Sequence, residues 1–207
     1  MIIEYHRPDE LDQALELLAR SNPVTVPLGG GTLLNQPSDS EVAVVDLQAL
    51  GLDQLKVSGK NLDVGAATPL QALLDFPEIH PALAAAIRHE ATYNLRQMAT
   101  VAGALVAADG RSPFASVMLA LNAEVTMLPD TEKAALGEWL PLRNEKLAHK
   151  LITQIRVPIH VKLAYDYVAR TPADLAIVSA AVAQWPSGRT RVVLGGYGAS
   201  PLLAMDG

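Results

Sequence analysis

Apolar residues recur at Leu11, Ala14, Leu15 and Leu18, the three-and-four spacing that buries one face of a helix. Pro8 suits the entrance of that helix and Asp9 is its expected cap, with Arg20 closing the far end. Before it, "IIEYHRP" reads as a short strand. After it, "VTVPL" reads as a buried strand running into three glycines, and "EVAVVDLQAL" as a third strand that reaches Asp46. Next, "QLKVSGKNLDVGAAT" alternates as a hairpin turning at Ser58-Gly59-Lys60-Asn61. "TPLQALLDF" and "PALAAAIRHEA" read as helices, each with proline near its first turn. The stretch from Pro113 to about Leu121 is a further apolar helix, followed by a strand, and "KLITQIRVPI" is another strand closed by Pro158. The last stretch changes character. "KLAYDYVARTPADLAIVSAAVAQW" and "TRVVLGGYG" suggest antiparallel strands about the turn at 186–189, although "DLAIVSAAVAQW" is apolar enough to be helical. Helices and strands alternate, but with hairpins, which predicts a mixed α+β architecture.

Composition narrows the function classes. The chain has 207 residues, half of them hydrophobic and only 4% aromatic, so its core is built from Leu, Val, Ala and Ile. The net charge of −6, without a basic run, argues against a nucleic-acid partner, which requires a positive face for phosphates. Cysteine is absent, and with it disulfides, thiolate nucleophiles and any iron–sulfur cluster ligated by this chain alone. The N-terminus lacks the basic start and apolar core of a signal peptide, and no apolar run reaches bilayer-spanning length. These features predict a cytoplasmic protein without membrane insertion. The five histidines show no metal-ligand spacing, and no metal is expected. Asp9, Glu10, Asp12 and Glu16 form a solvated helix face, and no Ser, His and Asp group into a triad.

The candidate chemistry lies in two small-residue stretches. In "PLGGGTLL" a strand feeds Gly29, Gly30 and Gly31, where bare backbone can curl its amides around phosphate oxygens. A lone triplet reads more readily as a tight turn that needs positive φ. Neither G-x-x-x-x-G-K-[ST] nor G-x-G-x-x-G is satisfied: no Lys or Arg lies between Arg20 and Lys56, and Leu34 stands where the third glycine belongs. About 70 positions on, a small-residue loop from Thr100 to Ala104 precedes an apolar helix. Two such loops can clamp one extended diphosphate, or serve close helix–strand packing.

Together these stretches resemble the flavin-binding medium subunits of the molybdenum hydroxylases, such as carbon monoxide dehydrogenase and xanthine dehydrogenase. "GGGTLL" (29–34) stands where that family has A-G-G-T-[DNS]-L, and "TVAGA" (100–104) where it has T-[IV]-G-G-N. The flanking "YHRPDELDQALELL", "VDLQAL", "VGAATPL", "HPALAAAIRHEA" and "LALNAEV" agree, so the resemblance covers nearly the whole chain. It implies a two-part PCMH-type FAD-binding domain, a small α/β subdomain (1–56) and a larger mixed-sheet subdomain (57–161), followed by a truncated antiparallel C-terminal domain (162–207). It implies an oxidoreductase subunit that binds FAD and passes electrons from a partner [2Fe–2S] subunit to NAD or another acceptor. Expected partners are iron–sulfur and molybdopterin subunits, or further copies of the chain. The absence of cysteine fits this division of labour.

Carried over by position, Pro27, Leu28, Gly29, Gly30, Gly31, Thr32, Leu33 and Leu34 would hold the diphosphate from one side, and Thr100, Val101, Ala102, Gly103 and Ala104 from the other. Ile152 matches an apolar contact to the cofactor rings, and Tyr167 stands in place of a lysine that reaches the flavin. No residue is expected to act as a catalytic acid, base or nucleophile. Besides Tyr167, four positions depart from the family: Leu33 replaces a polar residue, Ala102 a glycine, Ala104 an asparagine and Pro113 an aspartate. These departures define an alternative, a degenerate member that keeps the fold, has lost FAD and serves as a structural or docking subunit. Cell-wall-precursor flavin reductases share a similar FAD fold, but their catalytic serine and glutamate region has no counterpart here.

Overall fold

The computed structural model describes residues 1–34, 40–171 and 174–207. Three strands open the chain: β1 (Ile2–His6), β2 (Thr25–Leu28) and β3 (Val42–Asp46), with helix α1 (Leu11–Leu18) between the first two. They form a parallel sheet in the order β1-β3-β2, so all three strands end on the same edge. Ala14 and Leu18 of α1 bury against Val45, Leu47 and Leu151, a small core separate from the main one. The helix starts at Leu11, so its cap position falls on Glu10 and not on the expected Asp9. Glu10 makes no side-chain capping bond.

The second sheet has five strands in the order β4-β5-β8-β6-β7, all neighbours antiparallel. Its strands are β4 (Leu55–Ser58), β5 (Asn61–Gly65), β6 (Glu124–Leu128), β7 (Glu132–Ala135) and β8 (Leu151–Pro158). Between β5 and β6 run five helices: α2 (Leu70–Leu74), α3 (Pro81–Glu90), α4 (Tyr93–Met98), α5 (Val101–Ala107) and α6 (Pro113–Ala120). Two short helices, α7 (Leu136–Trp139) and α8 (Arg143–Lys146), lead from β7 into β8. The expected hairpin forms at Ser58–Asn61, with Gly59 at φ +62°.

The third sheet is an antiparallel meander in the order β12-β11-β10-β9. It comprises β9 (Lys162–Val168), β10 (Val178–Gln184), β11 (Thr190–Gly195) and β12 (Leu202–Asp206). The ambiguous apolar stretch is therefore a strand, because Ser179, Ala181 and Ala183 face inward at period two. Every residue of α6 is buried. The helix is covered by α3 and by β10 and β11 of the third sheet, within one continuous core that also takes in the second sheet and holds Phe114, Met118, Val125, Ile155, Ala181 and Val193.

Candidate functional site

The glycine triplet leaves the end of β2 and nests against the segment that enters α5. A Cβ built on Gly30 would stand 1.6 Å from the Met98 carbonyl oxygen, and one on Gly29 would stand 2.8 Å from Thr100 Oγ1. Gly31 takes φ +69°, the left-handed region in which a side chain is strained. The turn reading of the triplet therefore holds at Gly31, and Gly30 in addition allows two distant backbones to touch. Two stretches about 70 residues apart in sequence form one wall.

The amides of that wall differ. Among the described residues, Gly29, Gly30 and Gly31 donate to no protein acceptor. The second stretch is already satisfied. Val101 N donates to Thr68 O, Ala102 N to Ala66 O, Ala104 N to Thr100 O, and Gly103 N to Thr100 Oγ1 at 3.1 Å. This stretch is not the loop read from the sequence but the first turn of α5, with Thr100 as its cap. Ala102 sits at helical φ, so alanine carries no strain there, and positive φ among the described non-glycine residues falls only on Asn122, Thr131 and His149.

Two cavities meet at the wall and share Gly29, Gly30, Gly31, Leu47 and Thr100. The first, about 560 Å³, opens at the carboxyl ends of the parallel strands, where Tyr5, Leu28 and Asp46 line it with Asp53 and Gln97. Such a crevice is where open α/β sheets take ligands. Asp46 is 4% exposed. It accepts hydrogen bonds from the Tyr5 hydroxyl and, at 2.9 Å, from Gln48 N. The bond to Asp46 raises the Tyr5 pKa, keeping the phenol protonated. The second cavity, about 320 Å³, is more apolar. Pro27, Thr32, Leu33 and Leu34 line it from the triplet side, Ala102 and Gly103 from α5, and Lys150, Leu151 and Ile152 from the start of β8.

Of the expected site residues, Val101, Ala104 and Tyr167 line neither cavity. Val101, the first residue of α5, is buried. Tyr167 lies on β9, its ring tilted by 34° against that of His89 with centroids 3.9 Å apart. Pro113 opens α6, whose first turn is held from α3: Glu90 Oε2 accepts from Ser112 Oγ at 2.8 Å and from Phe114 N at 2.9 Å. Desolvation raises the Glu90 pKa above the ordinary carboxylate value. Sequence reasoning missed Met98, whose carbonyl the triplet approaches, and Lys150. The signal for Lys150 was its place two residues before Ile152, on the same strand face.

A family model, "FAD binding domain in molybdopterin dehydrogenase", matches residues 1–160. The chain belongs to this family. Among relatives, protein YgfM of Escherichia coli (strain K12) is 31% identical over 209 residues, spanning all of this chain and 79% of YgfM. The glyceraldehyde dehydrogenase medium chain of Sulfolobus acidocaldarius is 28% identical over 98% of this chain and 78% of its own length. Among solved structures, a Cu,Mo-CO dehydrogenase chain superposes with a TM-score of 0.83 at 24% identity, over 99% of this chain and 78% of that one. A chain of quinoline 2-oxidoreductase from Pseudomonas putida 86 gives 0.80 at 23% identity, over 98% and 76%. These likenesses establish the mixed α+β fold of the molybdopterin dehydrogenase FAD-binding domains. FAD fits the site by its donors: unspent glycine amides stand where bare backbone is required, on a wall shared by two cavities. Among the described residues no group of three His, Cys, Asp or Glu is placed to hold a metal ion, and no helix is long and apolar enough to cross a membrane.

Proposed function

We propose that this chain is the FAD-binding electron-transfer subunit of a cytoplasmic molybdopterin-dependent dehydrogenase, standing between a partner [2Fe–2S] subunit and NAD or another acceptor. The observation that carries this reading is the wall of three unspent amides at Gly29, Gly30 and Gly31 with a cavity on each side. Backbone amides converging on one concavity bind phosphate oxygens. Bound FAD would supply the redox chemistry that no side chain here offers. The chain's own part is to bind and orient. Thr100 braces Gly29 and caps α5, the triplet donates to the diphosphate, and Thr32 adds a hydroxyl beside it. Ile152 and Leu34 give the second cavity apolar surface against a planar ring. The division of the chain at residues 56 and 161 is likewise a proposal, supported by the three sheets.

Partner proteins are proposed on chemical grounds. The outer face of the third sheet exposes Val168, Val178, Leu194, Leu202 and Met205, apolar surface that favours a protein neighbour. The redox centres upstream of FAD would lie on such a neighbour, since this chain has no cysteine.

A second reading, a member that has lost FAD and acts as a structural subunit, is favoured by one observation. The amides of Val101, Ala102, Gly103 and Ala104 are all spent inside the protein, which leaves a one-sided clamp. The test is to incubate the purified chain with excess FAD, remove the unbound fraction and record a visible spectrum. Retained flavin absorbance is the expected result. A colourless, folded protein would leave the structural reading in its place.

A further inference from the structure

The triplet offers hydrogen bonds but no charge, and no Lys or Arg lies between Arg20 and Lys56. A one-sided clamp of neutral amides faces a diphosphate that is negative on both phosphates. Among the described residues lining the two cavities, the only cation is Lys150. It stands just before β8, and the two-residue period of extended chain places it on the same face as Ile152. Its side chain is a quarter exposed, and its ammonium is paired with two carboxylates. Glu132 Oε2 lies at 2.5 Å and Asp130 Oδ2 at 3.8 Å. Those carboxylates raise the pKa of Lys150, so the group stays charged at neutral pH.

We propose that Lys150 supplies the counter-charge for the phosphates of the bound dinucleotide, and that Glu132 competes with the ligand for the same ammonium. This rests on the FAD reading above and extends it to the group that selects a phosphate-bearing ligand. Lysine serves phosphate as a point charge. In the ligand-free cavity that charge is partly neutralised by Glu132. A ligand entering between Ile152 and the glycine wall meets it directly. The second cavity then prefers the ADP half of the cofactor, and the charge distinguishes FAD from riboflavin, which has no phosphate.

The experiment is calorimetric titration of the wild-type chain, Lys150→Met and Glu132→Gln with FAD, ADP and riboflavin, each at low and high salt. Lys150→Met is expected to weaken FAD and ADP by about 10-fold or more and to flatten the salt dependence, leaving riboflavin unchanged. Glu132→Gln is expected to tighten FAD and ADP several-fold, because it removes the competitor and keeps the ammonium. A Lys–Glu pair that merely braced the β6–β7 turn would make both variants shift thermal stability without opposite effects on ADP. Unchanged FAD and ADP affinity in folded Lys150→Met, or weakened binding in Glu132→Gln, overturns the assignment while the FAD reading stands. A wild-type chain that binds none of the three ligands overturns both.

Discussion

Gly30→Ala is the sharpest probe of the wall. The added methyl carbon would lie 1.6 Å from the Met98 carbonyl oxygen, 2.4 Å from its carbon and 3.1 Å from Ala99 N. All three are backbone atoms, so no side chain can swing aside. The triplet and the entrance of α5 must part by about 1.4 Å before the first contact reaches even 3.0 Å. Overpacking of this kind costs about 1–3 kcal/mol, and a backbone obstacle puts it at the upper end. The larger effect falls on the ligand. Displacing the triplet misaligns amides whose hydrogen bonds to a charged acceptor contribute about 1.5–3 kcal/mol each, so loss of one weakens FAD by roughly 10–100-fold. The assay is a flavin-fluorescence titration with a thermal melt on the same sample. Gly51→Ala is the control: Gly51 has positive φ, +65°, and its added Cβ would meet nothing within 4 Å. That control should lose about 1 kcal/mol of stability and keep its FAD affinity. A Gly30→Ala protein that melts like wild type and binds FAD within about twofold of it would refute the reasoning.

The remaining predictions concern the braces around the site. Glu90 has a raised carboxyl pKa, so between its ordinary value of 4.5 and the raised one the native state holds more protons than the unfolded state. Stability must fall as pH rises through that window and then level off. Glu90→Gln should abolish the decline in a series of melts at increasing pH, and parallel wild-type and mutant profiles would sink the claim. Arg143 donates to Val106 O at 2.9 Å, Leu140 O at 2.8 Å, Ala108 O at 2.6 Å and Ala199 O at 3.0 Å. Arg143→Met should lose about 2–3 kcal/mol in urea unfolding, less than four independent bonds because the carbonyls share one partner. A loss under about 0.5 kcal/mol would mean water replaces the guanidinium without penalty.

The sequence was legible wherever the signal was local. The three early strands follow from short β-prone runs, the first hairpin from Ser58-Gly59-Lys60-Asn61, and α6 from an apolar run opened by Ser112 and Pro113. The family resemblance rested on motifs that span the chain, and the family match covers residues 1–160. What was not legible depends on contacts between distant positions. Nothing near Gly30 announces that it must clear the carbonyl of Met98. The stretch at Thr100 reads as a loop because Ala and Gly carry no amphipathic pattern, yet a single threonine cap starts a helix there. Asp9 has the better side chain for a cap, but packing starts α1 one residue later. Lys150 was overlooked because a lone lysine at the mouth of a strand is ordinary until the fold brings it to the cavity of the glycine wall.

The all-round burial of α6 bears on how the molecule is made. The family match ends at residue 160, although relatives such as YgfM align over the whole chain. The physical boundary lies elsewhere: β10 and β11 cover one side of α6, and Gly110 exchanges backbone hydrogen bonds with Gly196 and Gly198 of the third sheet's last loop. A nascent chain that had emerged only to residue 160 would carry a helix with apolar side chains on every side and a cover on one. Synthesis of the last strands thus completes the cover of α6, and the unit that folds extends past the residues of the family match.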